Sequence, residues 1–520
     1  MIKTIKKLIL ISSVLLFAGC DKGFVKVNTD PYAITSIDPA LLFAGAETPN
    51  IGNWGAENTI VQQFVTPYNT GATLGFSFNA DVDLNSNAKW GEYTSDIKNI
   101  VQAMALLGPN TSRVNLMSML RIWKAYIFMG LVDDYGYVPY FEAGKAVTDQ
   151  VFYPKYDAGE VIYDDLYKEL KEGIASLDPS ADYVSADLFY GANAEPLTKT
   201  TNAADQVAKW KKLGNSILLR LGMRYSKVNP TKAASIVAEA FAGGVMESNA
   251  DNAFVKYDGT LYSYGDNAAL RNFSQFNYAA EPFVDQLKST NDPRAKFMIA
   301  NFADPGNVSA DPNPDTELAN QFGVPIGIDA GVLADAPYRG TRGGGLNYSQ
   351  FNVNILASPA APIFYVTYAQ TSLLLAEAAH RGWIPGGDAA AQTYYEDGIR
   401  ANMATYSLYP GATDIPASEV NEYLAQPGVA YNAADALKLI NTQYWIVNIR
   451  NPTEAFANFR RSGYPDLAPN PVVGDLDGPG FVRRLSYPDV EASANTANYQ
   501  AAAAAMGGDK LSSRVFWDTP

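Results

Sequence analysis

The sequence predicts a mostly α protein, a scaffold of paired helical hairpins interrupted by long loops, with little β structure. Three observations predict it. Long segments repeat their apolar residues at helical spacing, these segments fall in neighbouring pairs, and the stretches between pairs are long and rich in Gly, Pro, Asn, Asp, Tyr and Phe. In YDAGEVIYDDLYKELKEGIASLD the residues Ile162, Leu166, Leu170, Ile174 and Leu177 fall on one face, and Asp157 with Glu160 reads as a capping box. The same period runs through roughly 87–106, 110–134, 205–228, 230–243, 363–382, 386–406, 433–448, 452–463 and 488–506. The pairs are 110–134 with 158–178, 205–228 with 230–243, 363–382 with 386–406, and 433–448 with 452–463. Within WKKLGNSI, the residues Trp210, Leu213, Gly214 and Ile217 keep a tetratricopeptide spacing, with Ile at the aromatic position. No strict repeat period links the units, so a hairpin scaffold with insertions fits better than a regular solenoid.

The chain opens with MIKTIKKLILISSVLLFAGC, where three lysines precede an apolar run that ends on Ala18, Gly19 and Cys20. That is the three-part layout of a secretory signal, and its apolar run is shorter than the ~20 residues that a spanning helix needs. Cys20 is the single cysteine of the chain, so no intrachain disulfide forms. At the junction of signal and mature chain it has no core to join, and the segment resembles a bacterial lipoprotein box with Phe17 where Leu is commonest. The expectation is a signal peptide over 1–19, lipid on Cys20, a tether over 20–37, and a single helical domain over 38–520. Removing the three signal lysines from 39 basic residues leaves 36 against 54 acidic ones. Such a body repels nucleic acid and anionic headgroups, so the lipid does the anchoring.

The insertions are expected near 66–86, 244–278, 300–362 and 464–487, and loops of this length usually bind something. Little else points to chemistry. The one histidine, His380, ends an apolar helix, which leaves a Ser-His-Asp triad or a histidine zinc site without material. No dinucleotide or phosphate-loop fingerprint occurs, and YRGTRGGGLNYSQ lacks the lysine and setting of one. Nothing in the sequence calls for a cofactor. In DVDLNSNAKWGE, Asp81, Asp83, Asn85, Asn87 and Glu92 sit on EF-hand spacing, but Ser86 replaces the glycine and no helix precedes the loop. The competing reading is a polar loop whose Asn87 or Ser86 caps the following helix.

Aromatic residues make up 12% of the chain, and many fall in the insertions rather than on helical faces. Flat rings stack on sugar C–H faces while amides and guanidinium groups bond hydroxyls, so the mixture suits a carbohydrate platform. The expected ligand residues are Tyr68, Phe76, Phe78 and Asn79, then Tyr262, Tyr264, Asn272 and Phe273, then Tyr338, Arg339 and Tyr348. The bland alternative is that each ring pins its own loop to the helices.

Four stretches carry a family resemblance: WKKLGNSILLRLGMRYSKVNPTKA, with Trp210, Asn215, Ser216, Arg220 and Arg224; YVTYAQTSLLLAEAAHRGWIPG, with Gln370 where Glu is common; NTQYWIVNIRNPTEAFANFRRSGYPDL, with Phe456 and Phe459 where Trp is frequent; and VRRLSYPDVEASANTANYQAAAAAMGGDKLSSRVFWD, with Gly507, Gly508 and Asp509. In order behind a lipoprotein signal, they make the mature chain similar to the SusD/RagB family of outer-membrane nutrient-binding lipoproteins. The resemblance implies a SusD-like fold of four tetratricopeptide-like hairpins. It also implies a cell-surface lid over a SusC-like TonB-dependent transporter, capturing oligosaccharides, or peptides in some branches, without chemistry. These are scaffold motifs and assign no ligand residue. A surface glycoside hydrolase using two carboxylates and a purely structural transporter subunit are the remaining alternatives.

Overall fold

A computed structural model describes residues 37–68, 75–341 and 347–520. The signal segment, Cys20 and the tether up to residue 36 lie outside the described residues, as does the side chain of Asn85. The principal helices are α1 (Pro39–Ala46), α2 (Asp96–Leu107), α3 (Val114–Tyr135), α4 (Gly159–Ser176), α5 (Ala203–Arg224), α6 (Pro230–Gly243), α7 (Tyr368–His380), α8 (Gly387–Thr405), α9 (Ala436–Val447) and α10 (Pro452–Ser462). The four hairpins are α3 with α4, α5 with α6, α7 with α8, and α9 with α10, the pairs that the periodicity predicts. The joins α4 to α5, α5 to α7, α7 to α9 and α10 to α3 carry one core through the scaffold.

The tetratricopeptide spacing explains one of these joins. Trp210, Leu213 and Ile217 are fully buried on one face of α5. Gly214 stands among them because a Cβ there would lie 2.6 Å from Cγ1 of Ile174 on α4. Glycine therefore lets the first two hairpins close on each other.

The scaffold also buries charge. Arg224 on α5 reaches Asp133 on α3 at 3.1 Å and Glu454 on α10 at 2.6 Å, and is fully buried. The Trp517 indole donates to Asp133 Oδ1 at 2.9 Å, which pins the C-terminus to the same centre. On the far side Arg461 of α10 donates to both oxygens of Glu377 on α7, at 2.8 and 2.7 Å. Gln370 accepts from Arg220 at 2.8 Å and donates to Asn448 at 2.6 Å. A neutral amide suffices there because Arg220 also has Glu454 at 3.5 Å.

Among the described residues strands are few and short, arranged as four separate antiparallel pairs: β1 (Phe64–Val65) with β5 (Tyr278–Ala279), β2 (Val138–Pro139) with β3 (Tyr156–Asp157), β4 (Ala253–Val255) with β8 (Ile363–Val366), and β6 (Ile299–Ala300) with β7 (Gln350–Phe351). Four sequence expectations need correction. Asp157 does not cap α4, whose N-cap is Ala158; Asp157 lies in β3, where its carboxylate takes the Tyr140 and Phe141 N–H groups across the ladder, at 3.1 and 3.0 Å. The segment 363–382 divides into β8 and α7, with a reciprocal cap between Thr367 and Gln370 at the boundary. The segment 87–106 is a tight turn helix over Ala88–Tyr93 followed by α2, and Asn87 makes no side-chain cap. The last segment divides at Asn495 into Asp489–Ala494 and Thr496–Ala505.

Candidate ligand-binding site

The four insertions meet. β1, where the chain enters the first insertion, pairs with β5 at the end of the second, with Val65 opposite Tyr278. The third insertion joins this seam: Val324 N–H donates to the Ala279 carbonyl at 2.9 Å, Ala279 N–H donates to Ser349 at 2.9 Å, and Ala330 N–H donates to Pro67 at 2.6 Å. The fourth is tied to the first by the Asn79 amide on the Val472 carbonyl at 2.8 Å and the Asn470 amide on Ser77 at 2.9 Å. It also presses on the third, since a Cβ on Gly327 would lie 2.7 Å from Asn470 Oδ1. Each insertion thus spends backbone groups on another insertion, which holds long loops in one place.

At this meeting Val65, Tyr278, Ala280, Val324, Leu333 and Tyr348 form a small apolar cluster outside the main core, and Tyr68, Phe322 and Tyr338 pack on it. Tyr68 stands edge-on to Phe276, ring centres 5.3 Å apart, and Tyr348 edge-on to Phe322 at 4.8 Å. The Tyr348 hydroxyl accepts from the Arg339 N–H at 3.0 Å, and the Arg339 guanidinium stands 6.0 Å from the Phe322 ring centre. Burial raises the Tyr68 hydroxyl above its ordinary value, against a bond from Tyr278 and with Asp329 nearby. Burial also raises the Glu281 carboxyl, with Asp285 adding and Arg339 opposing. Half-buried rings, neutral hydroxyls, a guanidinium and a carboxyl therefore share one surface, a donor and acceptor mixture matched to sugar hydroxyls.

The expected ligand residues separate into groups. Tyr68, Tyr338, Arg339 and Tyr348 are brought together at this cluster. Phe76 and Phe78 are buried, 1% and 5% exposed, and Tyr348 is 2% exposed, so their rings are packed by the protein itself and serve to hold the loops. Asn79 is buried in the left-handed region, φ 51°, and its amide is used on Val472. Tyr262 and Phe273 stand out at 70% and 58% exposed, with Asn272 also exposed, but they lie outside the cluster. Tyr264 is half-buried, and its hydroxyl accepts from the Ile51 N–H at 3.4 Å. Phe276, Tyr278 and Phe322 complete the cluster: the sequence counts Phe276 and Tyr278 among the insertion aromatics without choosing them as ligand residues, and does not single out Phe322. The signal for them was the same as for their neighbours, aromatic residues in an insertion.

The carboxylates on EF-hand spacing do not converge. Asp81 accepts from Ser486 at 2.7 Å, Asp83 from Asn87 at 2.9 Å and from the Asp489 N–H at 2.8 Å, and Glu92 from the Asn50 N–H at 2.6 Å. Residues Asp83–Ser86 form a helical turn instead of a glycine bend, which points the positions apart. Among the described residues no group of three or more His, Cys, Asp and Glu is gathered for a metal ion. His380 ends α7 with Nδ1 2.7 Å from Asp388 on α8, a contact across the hairpin. A separate open cleft of about 370 Å³ lies where Tyr264 and Asp266 face Glu92 and Asp96.

Paired helical hairpins that carry one knitted surface of aromatic insertions define a class: a helical-hairpin scaffold with its long loops gathered together. The chain belongs to the SusD-like family, described as starch-binding and associating with the outer membrane, whose model matches residues 31–488. Among solved structures it is similar to a chitin-binding protein, 29% identical with a TM-score of 0.75 over 93% of this chain and 100% of that one. It is likewise similar to a Bacteroidetes AC2a SusD-like protein, 26% identical with a TM-score of 0.76 over the same shares. A SusD homologue from Bacteroides fragilis NCTC 9343, 20% identical with a TM-score of 0.72 over 93% of this chain and 100% of its own, shares the fold. No curated protein matches the chain. Among the described residues no helix is long and apolar enough to cross a membrane.

Proposed function

We propose that this protein is a lipoprotein, anchored to the outer membrane through lipid on Cys20, that captures an oligosaccharide on its insertion face and passes it to a SusC-like TonB-dependent transporter. Residues 1–19 would be removed as a signal peptide, 20–37 would tether the body, and 38–520 would form one domain. The observation that supports the binding reading is the meeting of the first three insertions around Tyr68, Tyr338 and Arg339, with the fourth braced against the first and third at Ser77, Asn79 and Gly327. On this reading the rings stack on sugar faces, Arg339 and Glu281 bond hydroxyls, and no bond is made or broken. A lid must release its cargo, so the expected dissociation constant is about micromolar or weaker, roughly −8 kcal/mol.

Calorimetry against a glycan panel tests this, with chitin oligosaccharides first because a similar solved structure bears the name chitin-binding protein. Tyr68→Ala and Tyr338→Ala should each weaken binding about tenfold, with the unfolding temperature almost unchanged. A panel of nulls would remove the carbohydrate reading. Turnover of a bound oligosaccharide that one carboxylate substitution abolishes would replace the lid with an enzyme.

A further inference from the structure

We propose that the corner between α9 and α10 carries a buried site for a small monovalent anion of the halide class, held by Arg450. The inference goes beyond the binding function above and does not depend on what the insertions capture. Arg450 is 5% exposed, and its Nη2 donates to Asn267 Oδ1 at 2.6 Å. Nε and Nη1 are buried and have no acceptor within the protein. Charge sets this residue apart from its buried counterparts. Arg220, Arg224, Arg294, Arg461 and Arg484 each have a carboxylate as an ion-pair partner, whereas Arg450 has none among the described residues. Arg460 shares that lack but gives N–H groups to the Phe456 and Arg483 carbonyls. The Asp266 carboxyl feels the Arg450 charge without pairing with it, and the Trp54 ring centre stands 5.4 Å from the guanidinium carbon. A buried guanidinium that leaves two donor atoms unused is costly until an acceptor reaches them.

Space for that acceptor exists beside it. A cavity of about 30 Å³ is walled by Arg450 together with Thr367, Gln370, Asn402, Tyr406 and Tyr409, and no carboxylate is in its lining. It is roomy enough for a water molecule or a halide ion. The side-chain acceptors of this wall are already taken. Asn402 Oδ1 accepts from Arg294 at 2.8 Å, Gln370 Oε1 from Arg220 at 2.8 Å, and Thr367 Oγ1 from the Gln370 N–H at 3.1 Å. Asn402 therefore has its NH2 group left to offer. Burial raises the hydroxyls of Tyr406 and Tyr409, the latter to about 12 with Arg450 opposing, so both remain neutral O–H donors. A wall of donors around one unpaired positive charge selects a negative ion, and a single guanidinium balances one negative charge rather than two. Such an ion would also brace the insertions, because Asn267 passes the contact on from Arg450 to the Ser358 carbonyl at 3.0 Å.

The purified full chain, dialysed into a halide-free methanesulfonate buffer, is unfolded thermally while sodium chloride or sodium bromide replaces the methanesulfonate salt at constant ionic strength. The expected result is an unfolding temperature that rises by about 1 to 3 °C and saturates within tens of millimolar halide. Arg450→Gln should abolish that rise. Tyr409→Phe, which keeps the ring and removes one donor, should weaken the halide dependence about three- to tenfold and keeps the test decisive if the first variant fails to fold. Crystals soaked in bromide give a readout that needs no variant: the anomalous signal should place the ion within hydrogen-bond reach of Arg450 Nε and Nη1. Water at that position in bromide-soaked crystals, or a halide effect that neither substitution alters, would overturn the site. So would a bromide peak with no halide-specific stabilisation in solution, which would mean binding at crystal concentration only. Glycan affinity measured in the same two buffers separates this inference from the proposed function, since loss of either leaves the other standing.

Discussion

Replacing Glu377 by glutamine tests whether buried ion pairs, as well as apolar packing, hold the hairpins together. Glu377 is fully buried; Arg461 donates to both of its oxygens, Arg381 donates to Oε1 at 2.8 Å and Asn441 to Oε2 at 3.2 Å. Burial alone would raise its carboxyl, yet the charges of Arg461 and Arg381 and their hydrogen bonds win and hold it at about 2, down from an ordinary 4.5. At ~1.4 kcal/mol per pH unit, that depression makes the carboxylate worth about 3 kcal/mol to the folded state at neutral pH. Because the folded value lies below the unfolded one, this stability is fully present above pH 4.5 and is lost as pH falls through about 2. Glu377→Gln removes the charge and leaves Arg461 buried against Asn441 and Asn458, so the expected loss is about 3 to 5 kcal/mol. Denaturant unfolding at pH 7 and at intervals down to pH 2.5 measures both parts. The variant should unfold at clearly lower denaturant at pH 7, and the gap from the parent should narrow steadily below pH 4.5. A loss under about 1 kcal/mol, or a gap that stays constant with pH, would refute the argument that this charge pair couples α7 to α10.

Glu47 should act in the opposite sense. It is fully buried with Asp187, and burial, then the neighbouring Asp187 charge, push its carboxyl well above 4.5, so folding retains a proton that the unfolded chain gives up. Its stabilisation is present below pH 4.5 and declines as pH rises toward the folded value, and Glu47→Gln should flatten the fall in denaturation midpoint between pH 5 and pH 9. Gly214→Ala places a methyl group 2.6 Å from Ile174 and should cost about 1 to 3 kcal/mol by thermal unfolding, whereas an alanine effect near zero would mean that the two hairpins do not close there. Gly327→Ala combines φ +74° with a clash against Asn470, and hydrogen exchange should rise in residues 466–476 while the scaffold helices stay protected.

The scaffold was legible because its physics is local. A period of 3.6 in the apolar residues gave the hairpins α3/α4 to α9/α10 almost to their ends, and Trp210 with Gly214 marked a helix face that is now seen packed. Strands of two residues, such as Phe64–Val65, carry no periodicity to read, since they exist only because a distant partner at Tyr278–Ala279 offers its backbone. The same holds for Asp157, whose cap geometry looked right along the chain but whose carboxylate is claimed by two N–H groups across a ladder. Composition marked where long loops are expected, and it could not show that they converge. A ring that stacks on ligand and a ring that fills the gap beneath a loop have the same sequence signature, which is why Phe76 and Phe78 were grouped with Tyr68. The cleft beside Tyr264 was hidden for a related reason. Its carboxyls come from segments more than 150 residues apart, and sequence spacing had grouped Glu92 with Asp81 and Asp83 instead.

The pressing of Asn470 on Gly327 and on the Ser77 carbonyl has a consequence for any exchange of these loops. The fourth loop works as a keystone, wedged between its first and third neighbours, so a graft of any single loop from a relative would arrive without the abutments that shape it. A loop exchange should fold only when the arch is transplanted as one block, with the hairpin masonry left in place beneath it.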